Sequence, residues 1–512
     1  MAKITKLNPG LIYPALEWTS TLEKGDLLLA VPRLRAKGRA EVYASKWAAE
    51  VGLRVPSIVQ LSLIILQFNP SCLVKRPTAI CTFPRFDYSS GVLPLVLKLG
   101  SPYGVSLPDK HKKIVVEFSS PNIAKEFHVG HLRSTIIGGF LSNLFERNGW
   151  ETVRLNYLGD WGRQFGLLAV GWKKSGNEET FQMNPIKHLF EVYVKISADV
   201  KLEEEEYEAT KKRGGDTATL EKTGILGEAK AYFKRMEDGD EEALSLWRNF
   251  RNISIEKYKM TYQRIGIHFT DYSGQSTVKQ ETMEMAEQIL LDAGITERNE
   301  GAVIIDFKKH GAKALRVAII RNRNGTSTYL LRDVGAAIQR DQTYGMDKMI
   351  YVVMSEQKTH MERVFKTLEL MGGEYTTLSK KMQHVSFGKV EGMSTRRGTV
   401  KFLEDTFDDV GESMHEVMRK NEDKYRQIKD PVKTADVLGI SAVMVQDMSG
   451  KRINDYPFNL DRMTAFEGDT GPFLQYAHAR LCFIQRKVDL TTEQLLAADW
   501  SLLKEQHAID LI

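Results

Sequence analysis

The sequence predicts an α/β protein with a parallel-sheet core, an α+β segment before the core and an all-helical segment after it. Three observations lead to this fold class. A buried strand, an amphipathic helix and a second strand follow one another between 112 and 158. Further strand patterns continue to about 390, and only helical periodicity remains from about 399 onward. Because a strand–helix–strand unit joins parallel strands by a right-handed crossover, a parallel sheet is expected.

The N-terminal part divides into two predicted segments. Residues 1–68 combine a strand pattern, DLLLAVPRL, with an amphipathic helix pattern, AEVYASKWAAEVG, which ends at Gly52. We expect a small α+β domain there. Residues 69–110 hold six of the 15 prolines and show neither helical nor strand periodicity. We therefore predict an irregular connector over this stretch.

The predicted core spans 111–398 and begins with the strand KKIVVEF at 112–118. The helix that follows is defined by apolar residues at helical spacing, namely Leu132, Ile136, Ile137, Phe140, Leu141, Leu144 and Phe145, and Asn148-Gly149 ends it. The next strand is TVRLNYL at 152–158, and later strand candidates are AVIIDF, TYLL, KMIYVVM and HVSFGKV. A charged helical insertion is expected at about 176–260, and its acidic run KLEEEEYEATKKR is interpreted as a solvated helix face. Residues 399–512 form the predicted all-helical domain.

Composition excludes several classes of protein. The chain is 42% hydrophobic and 27% charged, with a mean hydropathy of −0.31 and a net charge of +5, which a polyanionic partner would suit. Its three cysteines lack disulfide or zinc spacing. The most apolar run, 55–68, is too short for a membrane span, which needs about 20 residues. We expect a cytoplasmic protein without a membrane partner, with a mitochondrial location as the alternative.

The segment EFHVGHLRST places His128 and His131 between the first strand and the crossover helix. Ligands of parallel sheets bind there, near helix N-termini. The pair alone allows three interpretations: helix-capping histidines, half of a metal site without a visible third ligand, or a phosphate clamp in which Gly130 leaves room for a flat base.

Several longer motifs, one of them around this histidine pair, resemble those of a known family. The segment VVEFSSPNIAKEFHVGHLRSTIIGGFLSNLFERNGWETVRLNYLGDWGRQFGLLAVGW closely resembles the catalytic core of arginyl-tRNA synthetases, with HVGH at the class I signature position. The resemblance continues in YLLRDVGAA, HVSFGKVEGMSTRRGTVKFLEDT and FEGDTGPFLQYAHARLCFIQRK. It covers about 112–500 strongly and 13–50 more weakly.

The resemblance implies a class I synthetase Rossmann-like core, an N-terminal tRNA-contacting domain and a C-terminal anticodon-binding domain. The implied reaction is ATP-dependent formation of arginyl-adenylate, followed by transfer of the arginyl group to tRNA(Arg). Mg²⁺ would be carried by the nucleotide without a protein metal site, and bound tRNA would be needed for activation. We expect a monomer. The alternatives are a catalytically impaired, synthetase-derived RNA-binding protein and another H-x-G-H nucleotidyltransferase.

The resemblance also implies four groups of site residues. The catalytic group consists of Lys125, His128 and His131, and the ATP-binding group consists of Gly130, Met393, Ser394, Arg396 and Arg397. The arginine-binding group consists of Glu117, Asn122, Tyr329, Asp333 and Gln357. The tRNA-binding group consists of Gln67, Tyr476 and Arg480.

Within the arginine-binding group, each residue has an expected role. A guanidinium presents a planar fork of donors and therefore requires carboxylates. Glu117 and Asp333 are expected to pair with it, and Tyr329 to pack on the aliphatic stem. Asn122 and Gln357 would hold the α-amino end.

Departures from the family pattern occur at three places. The stretch GMSTR, residues 392–396, lacks both lysines of the K-M-S-K-S signature, and MSEQKTH differs from the usual form around Gln357. Arginyl-tRNA synthetases often use a lysine before the histidine motif instead, and Lys125 stands there. Glu126 occupies the position where the family commonly has proline.

The last residues, SLLKEQHAIDLI, have apolar positions typical of a helix that has not yet ended. The family's anticodon-binding bundle normally continues beyond this point. We therefore expect an incomplete bundle and weak binding of tRNA(Arg).

The missing loop lysines generate a test of Lys125. Lys125→Ala should slow adenylate formation about 100-fold or more, because one donor to transition-state charge contributes about 3 kcal/mol. The KM for arginine should barely change. ATP–pyrophosphate exchange measures both quantities, with Lys212→Ala in the solvated insertion as the control. Exchange within about threefold of the parent would show that Lys125 does not replace the loop lysines.

Overall fold

The computed structural model describes most of the chain from residue 88 onward. The described residues are 16–18, 27–30, 62–64, 80–82, 88–100, 102–105, 112–123, 127, 129–215, 217, 222–323, 325–391, 403–457 and 468–503. The chain divides into two compact units, one formed by 1–104 with 487–512 and the other by 105–486. Within the described part, no helix is long and apolar enough to cross a membrane.

The described strands and helices are numbered in chain order. The strands are β1 (Leu16–Trp18), β2 (Leu27–Ala30), β3 (Ser62–Ile64), β4 (Ile80–Thr82), β5 (Lys113–Glu117), β6 (Glu151–Leu158), β7 (Asp271–Gly274), β8 (Thr296–Asn299), β9 (Ala302–Asp306), β10 (Val317–Arg321), β11 (Lys348–Met354), β12 (Met382–Phe387), β13 (Val390–Glu391) and β14 (Tyr456–Pro457). The helices are α1 (Tyr88–Leu99), α2 (Val129–Arg147), α3 (Arg163–Ser175), α4 (Glu178–Met183), α5 (Pro185–Lys212), α6 (Ile225–Glu237), α7 (Glu241–Arg264), α8 (Gln280–Asp292), α9 (Tyr329–Tyr344), α10 (Lys358–Met371), α11 (Gly373–Lys381), α12 (Leu403–Arg419), α13 (Glu422–Tyr425), α14 (Pro431–Ser449), α15 (Gly471–Val488) and α16 (Thr492–Leu496).

The first unit contains an antiparallel sheet with the strand order β1-β2-β4-β3. Strand β2 lies within the predicted strand DLLLAVPRL, whereas the predicted helix at 40–52 lies outside the described residues. The expectation of an irregular connector at 69–110 is wrong, because the stretch contains β4 and the 12-residue helix α1. Pro94 inside α1 removes one backbone donor, and its ring crowds the carbonyl four residues earlier, so the helix forms in spite of it. The rest of α1 is largely apolar and packs against α16 and the short 3-10 helix Trp500–Leu502.

The second unit is built on a five-stranded parallel sheet with the order β12-β11-β5-β6-β7. Strand β5 is central and fully buried after its first residue, which matches its near-continuous apolar sequence. Chain order runs outward from β5 in both directions, through β6 to β7 on one side and through β11 to β12 on the other. The predicted parallel α/β core is confirmed.

Two strand predictions have different outcomes. KMIYVVM coincides with β11. TYLL is wrong, because α9 begins at Tyr329 after Thr328 in an extended conformation. Four residues are too few to reveal their period, and the apolar positions that follow, Val334, Ala337 and Ile338, are buried with Leu330 on one helical face.

The predicted insertion at about 176–260 is helical, comprising α4 to α6 and most of α7. Its acidic run lies on α5, where Glu204, Glu205 and Glu206 are exposed as expected. The part after residue 399 is helical where it is described, apart from β14, which pairs in parallel with β13. This two-residue strand corrects the all-helical expectation.

A buried arginine joins α2 to the helical region. Arg133 is only 1% exposed, and its Nη1 donates to the backbone oxygens of Gly388 and Asn454, each at 2.8 Å. Its Nε lies 3.6 Å from Asp447 of α14, and its guanidinium lies 4.9 Å from the Tyr456 ring. A side chain at Gly388 would place Cβ 2.4 Å from the Asn454 backbone, so glycine permits this close approach.

Burial makes this arrangement sensitive to the loss of one partner. Desolvation raises the pKa of Asp447 to about 6, although the hydrogen bond from Tyr456 and the charge of Arg133 lower it. Removing one ion of a buried pair leaves the other charge uncompensated.

Arg133→Met should therefore lower the free energy of unfolding by about 3 kcal/mol. Denaturant titration measures this change. The control is Arg426→Met, which removes an exposed arginine paired with Glu422 and should change the free energy by less than about 0.5 kcal/mol. Equal effects of the two substitutions would show that the Arg133 contacts do not couple α2 to α14.

Candidate functional site

A cavity of about 510 Å³ lies at the carboxyl ends of β5, β6 and β11. All five arginine-binding candidates line it: Glu117, Asn122, Tyr329, Asp333 and Gln357. It has the size and position typical of a small-molecule site in a parallel α/β protein.

The loop after β5 is held in an unusual backbone conformation. Ser119 and Ser120 have positive φ angles of 70° and 50°. Hydrogen bonds hold the turn, since the Ser119 amide donates to Ser134 Oγ at 2.9 Å and the Ser119 hydroxyl lies 2.7 Å from the Tyr262 hydroxyl. Ser120 lines the cavity, and its buried hydroxyl has no hydrogen-bond partner among the described residues. Left-handed conformations at non-glycine residues cost free energy and often mark ligand sites.

Asn122 is fixed by its neighbour across the sheet. It forms a parallel bridge with Gly159, directly after β6, and its carbonyl accepts a 2.7 Å hydrogen bond from the Tyr258 hydroxyl. A Cβ at Gly159 would lie 2.1 Å from Asn122 Oδ1. Glycine is therefore needed at 159 to keep the Asn122 amide in the cavity wall.

Helix α9 supplies three cavity residues at different depths. Tyr329, Asp333 and Arg340 are spaced by four and seven residues, so they share one helical face. Tyr329 is 49% exposed, the Asp333 side chain 22%, and Arg340 6%. The series runs from the mouth of the cavity to its interior.

Asp333 is held by two side chains that the sequence analysis did not single out. His360 Nε2 lies 2.6 Å from Asp333 Oδ2, and the Tyr157 hydroxyl donates to Oδ1 at 3.3 Å. Each carboxylate oxygen has a second lone-pair direction. Asp333 can therefore accept further hydrogen bonds from a ligand without losing these partners.

Glu117 already has a cationic partner inside the protein. Arg340 Nη1 lies 2.7 Å from Glu117 Oε2. The Arg340 guanidinium is stacked near two aromatic rings, 4.5 Å from the centre of Tyr157 and 5.6 Å from that of Tyr351. Desolvation raises the pKa of Glu117 to about 7; Arg340 opposes the rise and Asp333 adds to it.

The charges around the cavity favour a cationic ligand. Its lining contains two carboxylates, Glu117 and Asp333, and one guanidinium, Arg340. Counting Glu117 as ionised and His360 as neutral, the formal sum is −1, and the raised pKa of Glu117 brings the sum closer to zero near pH 7. Among the described residues there is no cluster of three or more His, Cys, Asp or Glu side chains that could hold a metal ion.

The histidine motif is only partly described. His131 and Gly130 lie in the first turn of α2, a helix N-terminus whose dipole favours an anion, and the His131 ring is 5.4 Å from Phe127. The remaining catalytic and ATP-binding candidates lie outside the described residues, as does one tRNA-binding candidate: Lys125, His128, Met393, Ser394, Arg396, Arg397 and Gln67.

The other two tRNA-binding candidates lie on α15. Arg480 Nη1 donates to the Tyr476 hydroxyl at 3.2 Å, and the guanidinium lies 5.7 Å from the ring. Both side chains are exposed and share one helical face, as their spacing predicts.

Sequence reasoning missed Tyr157, Arg340, Tyr351 and His360. Two signals were available. His360 belongs to the quoted motif MSEQKTH, and Arg340 follows Asp333 by seven residues, which is two helical turns. Nothing in the linear pattern indicates that Arg340 pairs with Glu117, because the two residues are 223 positions apart and meet only through folding.

Comparisons with known proteins agree with one another. The family model described as tRNA synthetases class I (R), catalytic domain, matches residues 93–460. The cytoplasmic arginine–tRNA ligase of Saccharomyces cerevisiae is 50% identical over 100% of this chain and 80% of its own length. The mitochondrial arginine–tRNA ligase of the same yeast is 42% identical over 99% and 75%. The crystal structure of Plasmodium falciparum arginyl-tRNA synthetase matches with a TM-score of 0.71 at 21% identity, covering 97% of this chain and 80% of that one, which supports the fold.

The buried carboxyl of Glu117 should make stability depend on pH. Its pKa is higher in the folded chain than the ordinary value of 4.5, so the fold favours the protonated form. This contribution is fully present below about pH 4.5 and is lost as pH rises through about 7.

Between pH 5 and 8 the loss should amount to about 3 kcal/mol, and Glu117→Gln should remove that part of the pH dependence. Denaturant titrations across this range measure it. The exposed Glu374→Gln provides the control and should keep the parental slope. An unchanged slope in Glu117→Gln would show that the fold does not perturb this carboxyl.

Proposed function

We propose that this cavity binds arginine for activation, and the premise is that the chain belongs to the arginine–tRNA ligases, a family of class I tRNA synthetases. In the proposed reaction, the arginine carboxylate attacks the α-phosphorus of ATP and pyrophosphate leaves. A ribose hydroxyl of the terminal tRNA adenosine then attacks the arginyl carbonyl, and AMP leaves. The observation that carries the assignment is the carboxylate of Asp333, held by His360 and Tyr157 in a cavity of formal charge −1.

Arginine would enter with its guanidinium towards Asp333. A carboxylate fits the planar fork of donors, and the two internal partners of Asp333 fix its orientation before the ligand arrives. Tyr329, at the exposed mouth, would pack on the aliphatic stem. Asn122 and Gln357, which line the same cavity, would hold the α-amino end. The sequence predicts that Glu117 also pairs with the substrate guanidinium. Because Glu117 is already paired with Arg340, we propose instead that it adds negative charge to the cavity without contacting the ligand.

The phosphates would lie at the N-terminus of α2. Backbone N–H groups and the His131 imidazole can stabilise charge that develops on the α-phosphate and on pyrophosphate. Roles for Lys125, His128, Gly130, Met393, Ser394, Arg396 and Arg397 rest on the sequence motifs. Mg²⁺ is proposed to accompany the nucleotide, whose phosphate oxygens suit it.

The tRNA side of the proposal involves α15 and the N-terminal segment. Tyr476 can stack on an unpaired base while Arg480 adds positive charge, a combination typical of RNA-binding surfaces. Gln67 is proposed for the N-terminal contact from sequence alone. We also propose that the chain is a monomer, which sedimentation velocity would test.

Neither alternative function gains support. The relatives with 50% and 42% identity are named as ligases, and their names include both compartments expected from the sequence, cytoplasm and mitochondrion. The direct assay is ATP–pyrophosphate exchange with each of about 20 amino acids, with and without tRNA. Exchange dependent on arginine and tRNA supports the proposal, whereas exchange driven by another amino acid contradicts it.

Asp333→Asn should raise the KM for arginine about 30-fold or more, because the substrate guanidinium would lose its carboxylate in a largely buried site. The KM for ATP should stay within about threefold. Steady-state exchange kinetics separate the two constants. Asp341→Asn, on the same helix but paired with Lys381, provides the matched control and should leave both constants near the parental values. Equal losses for arginine and ATP would instead indicate that Asp333 only stabilises the fold.

A further inference from the structure

We propose that Arg340 is a positioning residue that sets the depth of the arginine pocket and thereby excludes longer cationic side chains. The inference rests on the proposed function of the cavity. It assigns a role to a residue of the protein that carries the same cationic group as the substrate.

The first observation is the position of Arg340 along α9. Asp333 lies four residues and Arg340 eleven residues after Tyr329, which corresponds to about 6 Å and about 16 Å along the helix axis. Exposure decreases along the same series. Arg340 therefore lines the deepest part of the cavity on this helix, and Asp333 lies between it and the mouth.

The second observation is that Arg340 cannot easily move aside. Glu117 lies 2.7 Å from its Nη1, the Tyr157 ring lies under its guanidinium, and the Tyr351 hydroxyl is 3.4 Å from the same nitrogen. These partners are themselves buried, and each lies on a different strand of the parallel sheet. A fixed guanidinium at this position is a fixed positive charge.

The third observation concerns what this charge does to ligands. The buried Nη2 of Arg340 has no hydrogen-bond partner among the described residues, and a ligand guanidinium, which carries only donors, cannot supply one. A second cation that reached beyond Asp333 would approach this group in a medium of low dielectric constant, where like charges repel strongly. A ligand whose cation ends at Asp333 avoids the repulsion.

Arg340 also supports Asp333 through Tyr157. The Tyr157 ring packs on the Arg340 guanidinium, and its hydroxyl donates to Asp333. Loss of Arg340 would therefore loosen one of the two groups that orient Asp333. Pocket depth and carboxylate orientation depend on the same side chain.

The test compares L-arginine with L-homoarginine, which is one methylene longer, in ATP–pyrophosphate exchange with tRNA present. Arg340→Met should lower the ratio of kcat/KM for arginine to kcat/KM for homoarginine about tenfold or more, because one methylene in a fitted pocket discriminates by about that factor. Arg340→Lys keeps a cation in the deepest part of the cavity and should retain the ratio within about threefold. A purely structural role would reduce both substrates equally and leave the ratio unchanged.

Two further variants keep the test decisive. Arg363→Met, on α10, removes an arginine that donates to the Leu315 carbonyl at 2.7 and 2.9 Å outside the cavity. It should keep the parental ratio even if it lowers stability. Glu117→Gln removes the partner of Arg340 and should raise the KM for arginine about tenfold while ATP stays within about twofold.

The outcomes separate this inference from the proposed function. If the parent shows no arginine-dependent exchange, the function itself is wrong. If the parent is active and Arg340→Met changes the ratio by less than about twofold, the function stands and the depth-setting role of Arg340 is wrong. Should Arg340→Met fail to fold, Arg340→Lys and Glu117→Gln decide: loss of discrimination in Arg340→Lys, or an unchanged KM for arginine in Glu117→Gln, would overturn the inference.

Discussion

Parallel pairing of β5 with both β6 and β11 is the constraint on which the site depends. Because chain order runs outward from β5 on both sides, the connections leave the sheet in opposite directions and a crevice opens at the carboxyl ends. The pairing register aligns Glu117 with Leu155 on one side and with Tyr351 on the other. Thus Glu117 and Tyr351 reach the same cavity from adjacent strands, and the following loop brings in Asn122.

Within that crevice, the proposed selectivity for a cationic ligand depends on the charges of the lining residues. A buried carboxylate alone would tend to take up a proton, and two close carboxylates would do so more strongly. Arg340 compensates Glu117, while Asp333 is held by neutral donors or by a histidine. One carboxylate thus remains available for a cationic side chain. An enzyme of this family needs one carboxylate that is not paired with a cation of the protein, since a pocket without net negative charge would not attract a cationic substrate.

Buried guanidinium groups serve two different purposes in the second unit. Arg133 ties α2, which carries His131, to Asp447 and Tyr456 of the helical region. Arg340 belongs to the wall of the cavity. Both groups incur desolvation costs that are offset by ion pairs, backbone carbonyls or aromatic faces. The fold therefore uses buried arginine side chains as rigid connectors in the same unit as the cavity that is proposed to bind free arginine.

The sequence was sufficient for features that depend on local pattern or on long motifs. Buried strands such as β5 and β11 follow from continuous apolar runs, and the five arginine-binding candidates meet in one cavity. The sequence was insufficient where contacts between distant residues determine the local structure or the pairing of side chains. Helix α1 forms although it contains Pro94, and it packs against α16 of its own unit, while Tyr329 begins a helix although TYLL resembles a short strand. The pairing of Arg340 with Glu117 has no local signal.

The most direct test of this account is a crystal structure with bound L-arginine. The account predicts that the ligand guanidinium lies within about 3 Å of the Asp333 carboxylate. It also predicts that Arg340 keeps its contact with Glu117 near the 2.7 Å of the free chain. If the ligand guanidinium instead paired with Glu117 and Arg340 were displaced from the deepest part of the cavity, the account would be contradicted.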